Sequence, residues 1–343
     1  MMPTPAALEA IIKKSGISAS IETSLQLPGD ASTRKYYRIF VKTGGGALNT
    51  LVLMSMEPFE DRGMDVPFLA VQRHLAAAGV DVPSVLAADP AGGLILLEDL
   101  GDATMLKKLQ ESSGPDLEKH LYEKAIDALV QLQLNASPQK KSGTLEAFTL
   151  SFDVEKLLWE IRFTIEHFLE KYLKRTITAD DRQTLETGFG DICSVLATQP
   201  TVLAHRDYHS RNIMILPPAR LVMIDFQDAR LGPAQYDLAS LLRDSYYQLD
   251  EDRIDRLIDY YITKREAGTG SRIDGADFRR IFDLMSVQRN FKAIGSFASF
   301  VNLRNNHSYL KFVGNTFENI RRTLQKYPEY ARLREVLSHY YYF

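Results

Sequence analysis

The chain has 343 residues, with 41 Lys and Arg against 44 Asp and Glu and a formal net charge of −3. That length predicts two domains or lobes rather than one small core, and that balance excludes bulk attraction to nucleic acid or an anionic membrane. Hydrophobic residues make up 45% and charged residues 25%, ordinary for a globular chain in water. Cys193 is the single cysteine, so no intrachain disulfide forms. No uncharged apolar run reaches membrane-spanning length. The first ten residues lack the basic-then-apolar pattern of a secretory signal. A cytoplasmic location is the expectation, and a monomer is compatible with it.

Residues 8–14 predict a short helix. Residues 22–27, 36–41 and 49–56 are short β-branched or apolar runs. A polar stretch at 28–35 and the turn Thr43-Gly44-Gly45-Gly46 separate them, which predicts an antiparallel meander. Residues 66–78 carry Phe68, Leu69, Val71 and Leu75 at helical spacing and stop at Gly79. Residues 84–88 and 94–98 predict two more strands around Ala91-Gly92-Gly93. Beyond Gly101 the texture turns helical, with apolar stripes over 117–134, 154–173 and 179–196. Thr178 followed by Asp181 reads as a variant capping box. Three short apolar runs at 201–204, 213–216 and 221–224 interrupt the helices as buried strands. Helices resume near Gln235 and run to the end. The predicted class is α+β, with a small β-rich lobe over 1–100 and a larger, mostly helical lobe over 101–343.

The polar residues crowd into that interruption. They read His205-Arg206-Asp207-Tyr208-His209-Ser210-Arg211-Asn212, then Ile224-Asp225-Phe226-Gln227-Asp228. A hairpin from Ile213 to Ile224, turning at Pro217-Pro218, returns Asp225 beside Asn212. Three oxygen-bearing side chains then meet at one mouth. Phosphoryl transfer uses such a set. Mg²⁺ takes few protein oxygens and keeps phosphate oxygens and water, which suits Asn212 with Asp225. Asp207 is left to accept a hydroxyl proton and align the acceptor. His-Arg-Asp, four residues, then Asn is the kinase catalytic-loop spacing. Gln227 stands where a regulated protein kinase has Gly. His205 reads as a structural residue under the loop. Asp237, one turn into an apolar helix, needs partners if buried, and the loop amides are the expected ones.

Four segments resemble the aminoglycoside-phosphotransferase-like kinases, and within them the bacterial N-acetylmuramate/N-acetylglucosamine anomeric kinases. They are residues 30–38 (Asp-Ala-Ser-Thr-Arg-Lys-Tyr-Tyr-Arg), 94–102 (Leu-Ile-Leu-Leu-Glu-Asp-Leu-Gly-Asp), 205–244, and 288–297 (Gln-Arg-Asn-Phe-Lys-Ala-Ile-Gly-Ser-Phe). The resemblance implies a protein-kinase-like fold, ATP and Mg²⁺ as cofactors, and a small-molecule sugar as partner. It implies that Ser32, Thr33, Arg34, Lys35 and Arg38 face the nucleotide phosphates. It also implies that the backbone at Glu98 and Leu100 pairs with adenine. Gln227, Asp228, Arg243 and Arg289 are the acceptor-side candidates, and Lys292 shares the 288–297 helix with Arg289.

One departure is plain. The third strand carries no lysine for the α- and β-phosphates, so Arg38 or Lys35 is the expected substitute. Three functions stay open at this stage. The first is a sugar 1-kinase. The second is a kinase of an aminoglycoside, choline-like amine or amino alcohol. The third is a nucleotide-binding regulator without catalysis, which only the missing lysine supports. The cations interleaved with acids in the second lobe fit a neutral or anionic acceptor better than a polycation.

Overall fold

The computed structural model describes residues 3–28, 34–59, 66–111, 114–138 and 145–341. Helix α1 (Pro5–Lys14) starts on a Thr4 cap, whose Oγ1 accepts from the Ala7 N–H. Strands β1 (Ala19–Gln26), β2 (Lys35–Thr43) and β3 (Leu48–Ser55) form an antiparallel meander. Helix α2 (Pro67–Ala77) follows, then β4 (Val85–Asp89) and β5 (Leu94–Glu98). The sheet order is β1-β2-β3-β5-β4, antiparallel throughout.

Side chains alternate across this sheet because a strand has a period of two. Leu51, Leu53, Leu94 and Leu96 join Leu8, Ile11 and Ile12 of α1 in a small core on one face. Met54, Ile95 and Leu97 face the other way, with Phe68, Leu69 and Val71 of α2. That second core runs on without a break into the helical part of the molecule. The five-stranded sheet is therefore seated on the body that carries residues 205–212.

The helical part opens with α3 (Met105–Glu111) and α4 (Pro115–Asn135). Helix α5 (Val154–Thr164) continues as a wider π-helical stretch, Ile165–Tyr172, and α6 (Ala179–Ala197) follows. The expected capping at Thr178 is present, its Oγ1 accepting from the Asp181 N–H at 3.1 Å. Strands β6 (Thr201–Ala204), β7 (Ile213–Leu216) and β8 (Arg220–Met223) lie where the apolar runs placed them. Strand β9 (Arg230–Pro233) pairs with β6 and was not expected. Its Leu231-Gly232-Pro233 reads as a turn in sequence. Gly232 is needed there because a Cβ would stand 2.7 Å from the Phe152 ring.

Helices α7 (Gln235–Leu242), α8 (Glu251–Thr269), α9 (Gly275–Arg304), α10 (Val313–Gln325) and α11 (Ala331–Tyr341) complete the fold. Helix α9 is its axis, packed by α5, α7 and α10. Gly295 lets α5 approach, since a Cβ would lie 2.2 Å from Thr164 Oγ1. Among the described residues no helix is long and apolar enough to cross a membrane.

Candidate active site

Residues 205–212 leave β6 and enter the β7–β8 hairpin, so both ends of the loop are fixed by strands. The hairpin register, Ile213 opposite Met223 and Leu216 opposite Arg220, brings the chain back to its start. The Ile224 N–H then donates to the Asn212 carbonyl at 3.0 Å. Asn212 Nδ2 donates to the Asp207 carbonyl at 2.9 Å and approaches Asp225 Oδ2 at 3.5 Å. Asn212 and Asp225 side chains thus come together, while Asp207 joins them through its backbone carbonyl and turns its carboxylate to the other side of the loop. Arg206 (φ 84°) and Asp225 (φ 67°) sit in the left-handed region. Non-glycine residues rarely adopt it, and such strain collects at functional sites.

Two buried carboxylates hold the loop from below. Asp237 accepts from the backbone N–H groups of His205 at 2.6 Å and Arg206 at 3.0 Å, as its position in α7 implied. Burial pushes its carboxyl above the ordinary value. His205 is buried, with its ring against Tyr208, whose hydroxyl donates to the Ala125 carbonyl of α4. Asp244 Oδ2 accepts from the Ser210 N–H and hydroxyl at 3.0 and 2.5 Å, and its Oδ1 accepts from the Tyr246 N–H. Burial pushes Asp244 up to about 6. This anchoring role was not legible in sequence. Replacing Asp237 by alanine strands two N–H groups beneath the loop, at about 1–3 kcal/mol each. Denaturant unfolding of Asp237→Ala should show a loss of roughly 3 kcal/mol. A loss under about 1 kcal/mol would mean the loop is held by other contacts.

Two cavities meet at this loop. A cavity of 650 Å³ lies under the sheet, its walls including Tyr36, Val52, Leu97, Leu100, Asn212 and Asp225. Glu98 and Leu100 line it. A second cavity of 330 Å³ lies in the helical part, lined by Asp207, Asp228, Arg243, Arg289, Asn290 and Lys292, among others. Both lie within the range of small-molecule sites. Asp207 lines only the second, and Asp225 and Asn212 line only the first. The loop thus stands between two cavities, with Asp207 on one side and Asn212 and Asp225 on the other.

Several expected residues sit differently. Ser32 and Thr33 lie outside the described residues. Arg34 lines the large cavity, while Lys35 is exposed at the start of β2 and is not among the residues lining that cavity. Arg38 lines it too, but its guanidinium is bound by Asp99 at 2.6 and 3.0 Å and by Asp102 at 2.9 Å. Its charge is therefore already matched by carboxylates, and it ties β2 to the residues after β5. Arg38→Ala should weaken ATP and adenosine by the same factor, because no phosphate contact is lost. Weaker ATP with unchanged adenosine, by calorimetry, would return Arg38 to the phosphates.

Gln227 turns its amide to Asp225 Oδ1 at 2.8 Å and lines the 650 Å³ cavity, so it braces Asp225 and does not enter the cavity that Asp207 lines. Arg243 lines the 330 Å³ cavity, but Glu251 takes both its terminal nitrogens at 2.5 and 2.7 Å. Asp228 borders both cavities, 3.5 Å from Arg206.

The electrostatics around Asp207 set its state. Lys292 Nζ lies 3.3 Å and Arg289 Nη1 3.7 Å from its Oδ1. Burial works to raise its carboxyl, and Lys292, Arg289 and Arg206 outweigh that, holding it well below the usual carboxylate range. Asp207 therefore stays ionised at neutral pH. Burial pushes His209 down to about 3, so it is neutral there.

The donor set also fits a hard divalent cation. Asn212 spends its amide hydrogens on neighbouring oxygens, which leaves its Oδ1 as the atom to offer, and Asp225 is exposed beside it. Among the described residues no cluster of three or more His, Cys, Asp or Glu forms an all-protein metal cage. One carboxylate and one amide are what a cation shared with phosphate oxygens asks for.

A two-lobed α+β fold with this loop at the junction defines a protein-kinase-like phosphotransferase. The phosphotransferase enzyme family matches residues 23–272, and the chain belongs to that family. It is 34% identical over 309 residues to the N-acetylmuramate/N-acetylglucosamine kinase of Neisseria meningitidis serogroup B, covering 90% of this chain and 87% of that one. It is 33% identical to the kinase of the same name from Pseudomonas aeruginosa, covering 90% and 86%. Among solved structures, a choline/ethanolamine kinase family protein from Mesorhizobium loti shares the fold at TM-score 0.59 and 16% identity, covering 98% of each chain. An ADP-bound aminoglycoside phosphotransferase does so at TM-score 0.56 and 17% identity, covering 88% of this chain and 93% of that one. Family membership implies ATP as phosphoryl donor.

Proposed function

We propose that the protein transfers the γ-phosphoryl group of ATP to the anomeric hydroxyl of an N-acetylated amino sugar, N-acetylmuramate or N-acetylglucosamine. The observation that carries this reading is the charge of the acceptor cavity. Asp207 enters it flanked by Arg289 and Lys292, both mostly buried. A polycationic or quaternary-amine acceptor would have to approach two buried positive charges. A neutral or anionic acceptor meets hydrogen-bond donors instead. The identity to amino-sugar kinases over 90% of the chain supports the same choice.

Asp207 accepts the hydroxyl proton as the anomeric oxygen bonds to the γ-phosphorus and the bond to the β,γ-bridging oxygen breaks, giving a sugar 1-phosphate and ADP. An anomeric hydroxyl is more acidic than an ordinary alcohol, so a carboxylate of depressed basicity suffices and alignment matters more. Asn212 Oδ1 and Asp225 would hold Mg²⁺, which when bound neutralises charge on the phosphate oxygens. The residues 1–100 would form the nucleotide lobe and 101–343 the acceptor lobe. ATP consumption across a panel of amino sugars, aminoglycosides and choline-like amines tests the reading. Turnover of N-acetylated amino sugars is expected, and activity confined to amines or aminoglycosides would overturn it.

A further inference from the structure

The two cations on Asp207 are not paired to it closely. Charge-assisted N–H···O contacts run near 2.7–2.9 Å, whereas Lys292 stands off at 3.3 Å and Arg289 at 3.7 Å. Arg243, in the same wall, shows the contrast, with Glu251 held at 2.5 and 2.7 Å. Arg289 is fixed from behind, its Nη1 donating to the Tyr236 hydroxyl at 2.9 Å and its guanidinium 4.6 Å over that ring. Lys292 carries only its flexible stem. Residues 289, 292, 293, 296 and 297 all line the acceptor cavity from one face of α9. Asn290, 4% exposed, lines it as well, and its Nδ2 has no hydrogen-bond partner. Arg289 Nε is buried and unpartnered too. This wall is therefore rich in donors lacking an acceptor, and buried donors cost free energy until one arrives.

Resting on the amino-sugar reading, we propose that Lys292, with Arg289 beside it, is the determinant that selects a carboxylate-bearing sugar over a neutral one. The incoming carboxylate takes the Lys292 ammonium that otherwise leans on Asp207 Oδ1. Asp207 is thereby released toward the hydroxyl it must orient, and the ligand neutralises a cation the cavity leaves half-matched. A neutral sugar leaves Lys292 on Asp207 and binds by its hydroxyls and acetamide alone. The same residue thus touches the acceptor and sets the freedom of the base.

The test compares N-acetylmuramate, its methyl ester and N-acetylglucosamine in steady-state kinetics. Wild-type protein should prefer the free acid to its ester by roughly 10- to 100-fold in kcat/KM, the worth of one charged contact. In Lys292→Met that preference should fall to about threefold or less, through KM, while kcat for the neutral sugar holds or rises because Asp207 no longer carries the ammonium. Lys292→Arg, which keeps the charge, should restore much of the preference. Equal KM changes for acid and ester in Lys292→Met would overturn the proposal. So would a wild type that treats acid and ester alike, a comparison needing no variant to fold. A wild type that phosphorylates none of the three sugars fails the functional reading itself, and this inference with it.

Discussion

Asp207→Asn should lower kcat by about 10²–10⁴-fold, the usual range for removing a positioned base, while ATP affinity stays within about threefold. The split follows from geometry. Asp207 lines the acceptor cavity and not the nucleotide cavity, and its carboxylate reaches neither Asn212 Oδ1 nor Asp225 in any contact of the structure. The substitution keeps shape and backbone, and Asn212 bonds the Asp207 carbonyl rather than its side chain. What changes is charge. The amide neither accepts a proton nor balances Lys292 and Arg289, which then repel each other side by side on α9. Some loss of stability is expected as well. The stabilising effect of a carboxylate with depressed pKa is present above its unfolded value near 4 and fades as pH falls below it, so the variant should lose most at neutral pH. Turnover within tenfold of wild type would remove Asp207 from the chemistry.

Asp225→Ala should abolish the dependence of nucleotide affinity on Mg²⁺. In the wild type, ATP is expected to bind at least tenfold more tightly with the metal than without it. In the variant the two affinities should agree within about twofold, since Asn212 alone supplies too little charge. Alanine also pays for the backbone, because residue 225 stands at φ 67°, where Asp and Asn are tolerated better than Ala. Asp225→Asn separates the effects by keeping the local conformation and removing the charge. Calorimetry with and without Mg²⁺ decides the matter. An unaltered metal effect in both variants would mean the cation is held elsewhere.

Much of this site was legible because its parts lie close in sequence. Residues 201–204, 213–216 and 94–98 are short, mostly apolar runs bounded by Gly, Pro or polar residues, and each became a strand of those bounds. The hairpin then had to return Asp225 to Asn212. Asp237 was legible because a carboxylate one turn into an apolar helix has few other uses. What failed involved pairs far apart in the chain. Arg38 meets Asp99, 61 residues on, and sequence alone shows only a cation near a phosphate-facing segment. Arg243 meets Glu251 across the turn between α7 and α8, which its helical spacing did not reveal. Lys292 reaches Asp207 over 85 residues, because α9 happens to run past the loop. Strand β9 was missed for a local reason, since Gly232-Pro233 reads as a turn until Phe152 fills the space above the glycine. The first strand begins earlier than expected, at Ala19, because most of its residues are exposed and its apolar alternation is faint.

The central claim is that Asp207 directs phosphate onto the anomeric oxygen of an N-acetylated amino sugar. Phosphorus-coupled proton NMR of the product formed from ATP and N-acetylglucosamine tests it most directly. The predicted spectrum shows the C1 proton coupled to phosphorus and the C6 protons uncoupled. Coupling at C6 with none at C1 would contradict the account.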